Sequence, residues 1–327
     1  MLAEHSPSAH TRPAAASPPP LWIVINAGSG EHDAQQTQEV LAGVFHAAGH
    51  ATDFVRLGDP ARLAQACEEA AMVAKAHGGI LVAAGGDGTV NTAAAAALRN
   101  ACPLGVIPKG TFNYLAREHG IPLDAEAAAL VLSQGRARPI QVGLVNDRLF
   151  LVNASLGLYP QVLQDREAFK GRLGRHRWVA ALSGLATVLR WRRRLSLDIE
   201  LDGARTRLTT TTLFVGNNRL QVEQLGLDDE VIRRTGRGRL AGIITRPVGA
   251  WAMLLLSLRG ALGRLGEAQQ VQSFSFHELQ VLVRGARRIK VATDGEVRVM
   301  APPLRFAAVA GPLQLMVPAA GDRVPRE

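Results

Sequence analysis

The sequence predicts an α/β N-terminal domain built on a parallel sheet, followed by a mostly antiparallel β domain. Three observations carry this reading. The 327 residues exceed what one hydrophobic core comfortably holds. From Leu21 to about Arg138, short apolar runs alternate with longer helical stretches, the rhythm of parallel strands covered by helices. After Arg138 the apolar–polar alternation turns around Asn-Asp and Asp-Gly, the signature of hairpins.

The elements follow in order. LWIVI is a strand of the fully buried type, and AQQTQEVLAGVFHAAG is a helix. ATDFVRL is a second strand, PARLAQACEEAAMVAKAHG a helix, and GILVAA a third strand. TVNTAAAAALRN is a helix, PLGVI a fourth strand, and TFNYLAREHG a short helix. In the second half, PIQVGLVNDRLFLVNASLG turns at Asn-Asp, and RLSLDIELDGARTRLTTTTLFVGNN turns at Asp-Gly. SFSFHELQVLVRG, RIKVATDGEVRV and PLRFAAVAGPLQLMVP are further strands. This divides the chain into a tail (1–20), an α/β domain (21–138), a β-rich domain (139–318) with its last strand a candidate to return to the first domain, and a short tail (319–327).

Composition narrows the partners. A net charge of +9 and a pI near 10.6 call for an anionic one: nucleic acid, anionic membrane or nucleotide. Aromatic residues make up only 5% of the chain, and no compact DNA-binding signature is present, so nucleic acid is not expected. The most apolar helical stretch is cut by Arg259 and Arg264, and residues 1–20 lack the pattern of a secretory signal. Cys67 and Cys102 match no metal or redox spacing and read as small apolar fillers in a cytoplasmic protein. His46 and His50 have ligand-like spacing without a third ligand and read as surface histidines.

Three strand ends of the first half carry glycine: NAGSG (26–30), GGDGTVN (85–91) and PKGTFN (108–113). Glycine lets backbone amides approach a ligand, and each loop opens a helix whose free N–H groups attract anions. Three such loops in one sheet point to a nucleotide site at the carboxyl ends of the strands. Neither the P-loop nor the dinucleotide fingerprint is present. Asp87 among the glycines suits a nucleotide's Mg²⁺ or a proton acceptor, and equally a cap for the helix starting near Thr89. The late triplet Asp294-Gly295-Glu296 taken alone reads as a polar hairpin turn.

NAGSG, GGDGTVN, GVIPKGTFNYLA and DGE together resemble, in order and spacing, the diacylglycerol kinase catalytic-domain family, whose α/β fold is NAD kinase-like. The resemblance implies an ATP- and Mg²⁺-dependent lipid kinase with a diacylglycerol-like acceptor, the nucleotide lying in the interdomain cleft between the α/β domain and a C-terminal, mostly antiparallel β-sandwich domain. It implies that Asn26, Gly28, Ser29 and Gly30 help hold the nucleotide. Gly85, Gly86, Asp87, Gly88, Thr89 and Asn91 wrap its phosphates, with Asp87 near the metal. Thr111 donates its hydroxyl to the nucleotide and Gly110 keeps the turn tight; Lys109, which the resemblance does not require, is placed to add charge to a phosphate. Glu296 is implied as general base, with Asp294 supporting the base or the magnesium. Asp228 and Asp229 loosely match an acidic loop that holds a structural Mg²⁺ in some members, and otherwise read as solvated loop acids. Two other readings are a kinase of a soluble substrate such as NAD, and an inactive nucleotide-responsive lipid binder.

Reaching a lipid calls for peripheral contact with an anionic membrane. Lys170, Arg172, Arg175, Arg177 and Arg192 to Arg194, with Trp178 and Trp191 between them, suit such contact. Trp251, Leu255, Leu258 and Leu262 form a second amphipathic element. The alternative is that both stretches pack on the β domain with their charges in water. A homodimer is a further partner to consider.

Overall fold

The computed structural model describes residues 17–27, 31–158, 160, 194–319 and 323–325. The expected α/β half is present. Strands β1 (Leu21–Asn26), β2 (Thr52–Leu57), β3 (Ile80–Gly85) and β4 (Leu104–Pro108) pair in parallel in the order β2-β1-β3-β4. Every residue of β3 and β4 is buried, as expected of strands covered on both faces. Helices α1 (Glu31–Ala47), α2 (Leu63–Ala76) and α3 (Asp87–Arg99) connect them. α2 and α3 bring alanines into the core (Ala70, Ala71 and Ala74; Ala93, Ala94 and Ala97), so the two helices lie close on the sheet.

Two short helices follow, α4 (Tyr114–His119) and α5 (Ala125–Gln134). α5 was not expected from the sequence. Asp124 caps it by accepting the Ala127 N–H at 2.9 Å, and Ala128, Ala129 and Leu132 bury its inner face.

The second half is antiparallel, as expected. β5 (Arg136–Val145) and β6 (Arg148–Phe150) form the hairpin at Asn146-Asp147. β7 (Asn153–Gly157) is a separate strand, although RLFLVNASLG reads as one continuous run. The chain leaves the ladder at Leu151 and Val152 because their amides turn to the Asp294 carboxylate. β8 (Leu195–Leu201), β9 (Ala204–Thr210) and β10 (Thr212–Gly216) follow, with the Asp-Gly turn where expected. α6 (Arg219–Gln224), α7 (Asp229–Arg234), β11 (Leu240–Thr245) and α8 (Ala250–Ala261) come next. β12 (Val271–Phe276), β13 (Glu278–Val283), β14 (Ile289–Thr293), β15 (Glu296–Met300) and β16 (Leu304–Val317) complete the fold.

SFSFHELQVLVRG splits at His277: β12 joins one sheet and β13 the other. One sheet runs β12-β11-β10-β7-β14-β15, and the other extends β2-β1-β3-β4 through β16, β13, β8 and β9. β16 links the halves. It pairs parallel to β4 at Leu315–Leu104 and antiparallel to β13 from Leu304 to Ala307, with a bulge against β5 at Val309–Leu313.

Between the two sheets lies a core of Phe150, Leu156, Leu213, Phe276, Leu279 and Phe306, among others. Period-two alternation divides the faces. Leu213 and Val215 of β10 enter this core, while Phe214 packs outward against α6 and α7 with Val222 and Val231.

Candidate functional site

β3 ends at Gly85, and Gly86 is the N-cap of α3 without any side-chain cap bond. The first amides of this 13-residue helix are therefore left facing a cavity of about 810 Å³. Gly86, Gly88, Thr89 and Asn91 line it from the first domain, and Arg148, Glu296 and Arg298 from the second. Asn26 joins this wall from the end of β1, donating from Nδ2 to the Thr89 hydroxyl at 2.9 Å.

Sterics explain three of the glycines. A Cβ on Gly85 would lie 2.6 Å from Thr89 Cβ and Oγ1. A Cβ on Gly110 would lie 2.8 Å from the Gly86 Cα, so the two loops touch backbone on backbone. Gly88 differs. A Cβ there would meet nothing within 4 Å, only the open space of the cavity.

Asp87 turns away from that space. Its Oδ2 accepts the Asn113 N–H at 3.0 Å and its Oδ1 the Tyr114 N–H at 2.9 Å, which caps α4 and not its own helix. Asn113, at φ 50°, closes the GTFN loop by accepting the Gly110 N–H at 2.9 Å and donating to the Gly110 carbonyl at 2.8 Å. α4 in turn meets the second domain. Asn218 Nδ2 donates to the Tyr114 carbonyl at 3.2 Å, and the Arg219 N–H to Glu118 Oε1 at 3.0 Å. A run of hydrogen bonds thus ties the glycine loop to the β-rich half.

Asp294 and Gly295 form the two-residue turn between β14 and β15, both at positive φ (46° and 88°). The hairpin reading of DGE is therefore correct as geometry, and the turn has a second role. The Asp294 carboxylate accepts the N–H groups of Leu151 (2.7 Å), Val152 (2.9 Å) and Asn153 (2.8 Å), and a further bond from Asn91 Nδ2 on α3. It is an interdomain clamp whose oxygens are occupied. Burial pushes its pKa up to about 6, against the pull of those four donors.

Glu296, two residues on, is free of that clamp. Its side chain is 54% exposed, lines the cavity, and pairs with Arg298 at 3.0 Å. Arg148 lines the same cavity. Partial burial and Arg298 lower the pKa of its guanidinium, and Glu296 raises it. Arg148 and Arg298 were not anticipated as site residues. Isolated exposed arginines in a strongly basic chain carry no local signal.

Other expected residues lie elsewhere. Lys109 points to α1, where it bonds Asp33 at 2.8 Å and the Thr37 hydroxyl. Thr111 is exposed in its loop and does not line this cavity. Asp228 caps α7 through the Glu230 N–H at 2.9 Å, and Asp229 is exposed in that helix's first turn, both away from this cavity in the loop matched to a separate, structural Mg²⁺. Gly28, Ser29 and Gly30 lie outside the described residues, as do Lys170, Arg172, Arg175, Arg177, Trp178, Trp191, Arg192 and Arg193. His50 is not a surface residue: it is 7% exposed, packs edge-on against Phe45 and bonds the Pro19 carbonyl through Nδ1 at 2.7 Å. Cys67 and Cys102 are buried free thiols, as expected; burial pushes Cys67 up to about 12.

A second, apolar set was also missed. Pro60, Ala61, Leu63 and Ala64, at the start of α2, wall the cavity beyond the glycine loop.

The family model described as "Diacylglycerol kinase catalytic domain" matches residues 20–145. A diacylglycerol kinase of Bacillus subtilis (strain 168) is 37% identical over 151 residues, 44% of this chain and 47% of that protein. A protein of Pseudomonas aeruginosa (strain UCBPP-PA14) named "Probable lipid kinase YegS-like" is 48% identical over 84 residues, 25% of this chain and 28% of that protein. The matches span less than half the length of these curated relatives. In fold, the chain is similar to the crystal structure of a diacylglycerol kinase from Bacillus anthracis str. Sterne. The TM-score is 0.67 at 16% identity, over 94% of this chain and 99% of that one. Residues 20–145 are thus similar to the diacylglycerol kinase catalytic domain, and the chain as a whole shares the fold of a diacylglycerol kinase structure.

Proposed function

We propose that the chain is a lipid kinase that transfers the γ-phosphate of ATP to a lipid hydroxyl of diacylglycerol type. The observation that carries this is the cavity itself: helix-terminal amides on one wall, and on the other the Glu296 carboxylate, paired with Arg298, together with Arg148. Phosphoryl transfer needs these parts, because its catalysis is mainly positioning and charge neutralisation.

In this reading the base lies against Pro60, Ala61 and Leu63, and the phosphates lie along Gly86, Gly88 and Thr89. Arg148 and Arg298 then meet the phosphate to be transferred. That contact would draw Arg298 away from Glu296 and leave the Glu296 carboxylate to accept the proton of the attacking hydroxyl.

Among the described residues no group of three or more His, Cys, Asp and Glu side chains could hold a metal ion. A magnesium ion that arrives with the nucleotide would be met from the cavity wall by Glu296, whereas Asp87, expected near the metal, is turned to the Asn113 and Tyr114 amides. When bound, such an ion would neutralise phosphate charge.

Gly88 tests the placement. The Cβ of a valine there stands in open space on the cavity wall, so Gly88→Val should leave unfolding within about 0.5 kcal/mol of wild type. ATP binding, measured by titration calorimetry, should fall by at least about tenfold. Unchanged ATP affinity in this variant would remove the phosphates from the Gly86–Thr89 wall.

A further inference from the structure

We infer that α8 is a membrane-docking element that lays its outer face on anionic lipid. Met253 and Leu256 face inward and pack with Leu158 and Ala268. On the opposite side Trp251, Leu255, Leu258 and Leu262 are 78%, 51%, 55% and 65% exposed. Their spacing of four, three and four residues puts them in one straight stripe about 16 Å long. Leu262 keeps the helical path one residue past the helix, donating its N–H to the Leu258 carbonyl at 3.0 Å. Thirteen large apolar side chains are exposed among the described residues, and four of them fall on this stripe, so it is a patch and not scatter.

Charge selects the occupant. α8 contains no acidic residue; Arg246 precedes it, Arg259 lies in its last turn, and the nearby Glu267 already pairs with Arg264 at 2.9 Å. A second copy related by a two-fold axis would set arginine against arginine, whereas lipid phosphates answer both. Tryptophan favours the headgroup boundary, and a 12-residue helix lies in that plane without spanning it. The docking deepens the lipid-kinase reading and rests on it for its use, since it would bring the cavity to an acceptor held in a bilayer.

Co-sedimentation of the full chain with phosphatidylcholine vesicles, with and without phosphatidylglycerol, tests this without ATP or turnover. A failed kinase assay and a failed docking assay are therefore told apart. Wild type should bind the phosphatidylglycerol vesicles. Trp251→Ser with Leu258→Ser should weaken that binding by about tenfold or more at an unchanged melting temperature. Arg246→Gln with Arg259→Gln should lose affinity only for the anionic vesicles, and less so at high salt. Wild type that binds no vesicle, or a serine pair that binds as wild type does, overturns the proposal. So does a serine pair that instead converts a dimer to a monomer in light scattering.

Discussion

Replacing Glu296 by Gln should lower the rate of phosphoryl transfer by about 10²–10⁴-fold, the usual worth of a positioned proton acceptor. The substitution keeps shape and removes only the ability to take a proton. Glu296 is half exposed on β15 and its pairing with Arg298 is a surface ion pair, worth little to the fold. Melting temperature should therefore stay at the wild-type value, and ATP affinity should hold or rise as a negative charge leaves the cavity. Steady-state kinetics on the purified chain would show the loss in kcat, not in KM. Turnover at the wild-type rate would show that the proton goes elsewhere.

Asp294→Ala should act on a different quantity. It leaves the amides of Leu151, Val152 and Asn153 and the side chain of Asn91 without their acceptor, and it removes the clamp between α3 and the β-rich half. A cost of about 3 kcal/mol or more at neutral pH is expected from the buried donors alone. The pH dependence has a definite sign. The carboxyl is raised from 3.8 to about 6 in the fold, so its contribution is fully present below about 4 and declines as pH rises through 6. Wild type should thus exceed Asp294→Ala by most near pH 4, and the difference should shrink by up to about 3 kcal/mol by pH 7. Urea unfolding of both proteins across this range measures it. A difference that grows with pH would mean that the clamp depends on the charge and not on the proton.

These two acids show what the sequence could and could not convey. Hydrophobic rhythm placed the four parallel strands, and Asp-Gly pairs placed the hairpins, because both signals are local. The glycine loops were legible too, since only a close backbone approach explains Gly86 against Gly110. Partners far along the chain were not legible. The break between β6 and β7 is set by Asp294, 141 to 143 residues away. Asp87 could be read as a cap, but nothing local said that the helix it caps is α4. Lys109 sits in a phosphate-facing loop by sequence, yet Asp33 and Thr37 of α1 hold it. Which acid of DGE is available for chemistry follows from hydrogen bonds alone: Asp294 has four donors on it, and Glu296 faces the cavity.

The central claim is that the cavity delivers a phosphate from ATP to a lipid hydroxyl. Incubating the full chain with γ-labelled ATP, magnesium and a total lipid extract, then separating the lipids, tests it most directly. The predicted result is label in a phosphorylated lipid that comigrates with phosphatidic acid, absent when Glu296→Gln replaces wild type. Label appearing in NAD supplied alongside, with none in lipid, would contradict it.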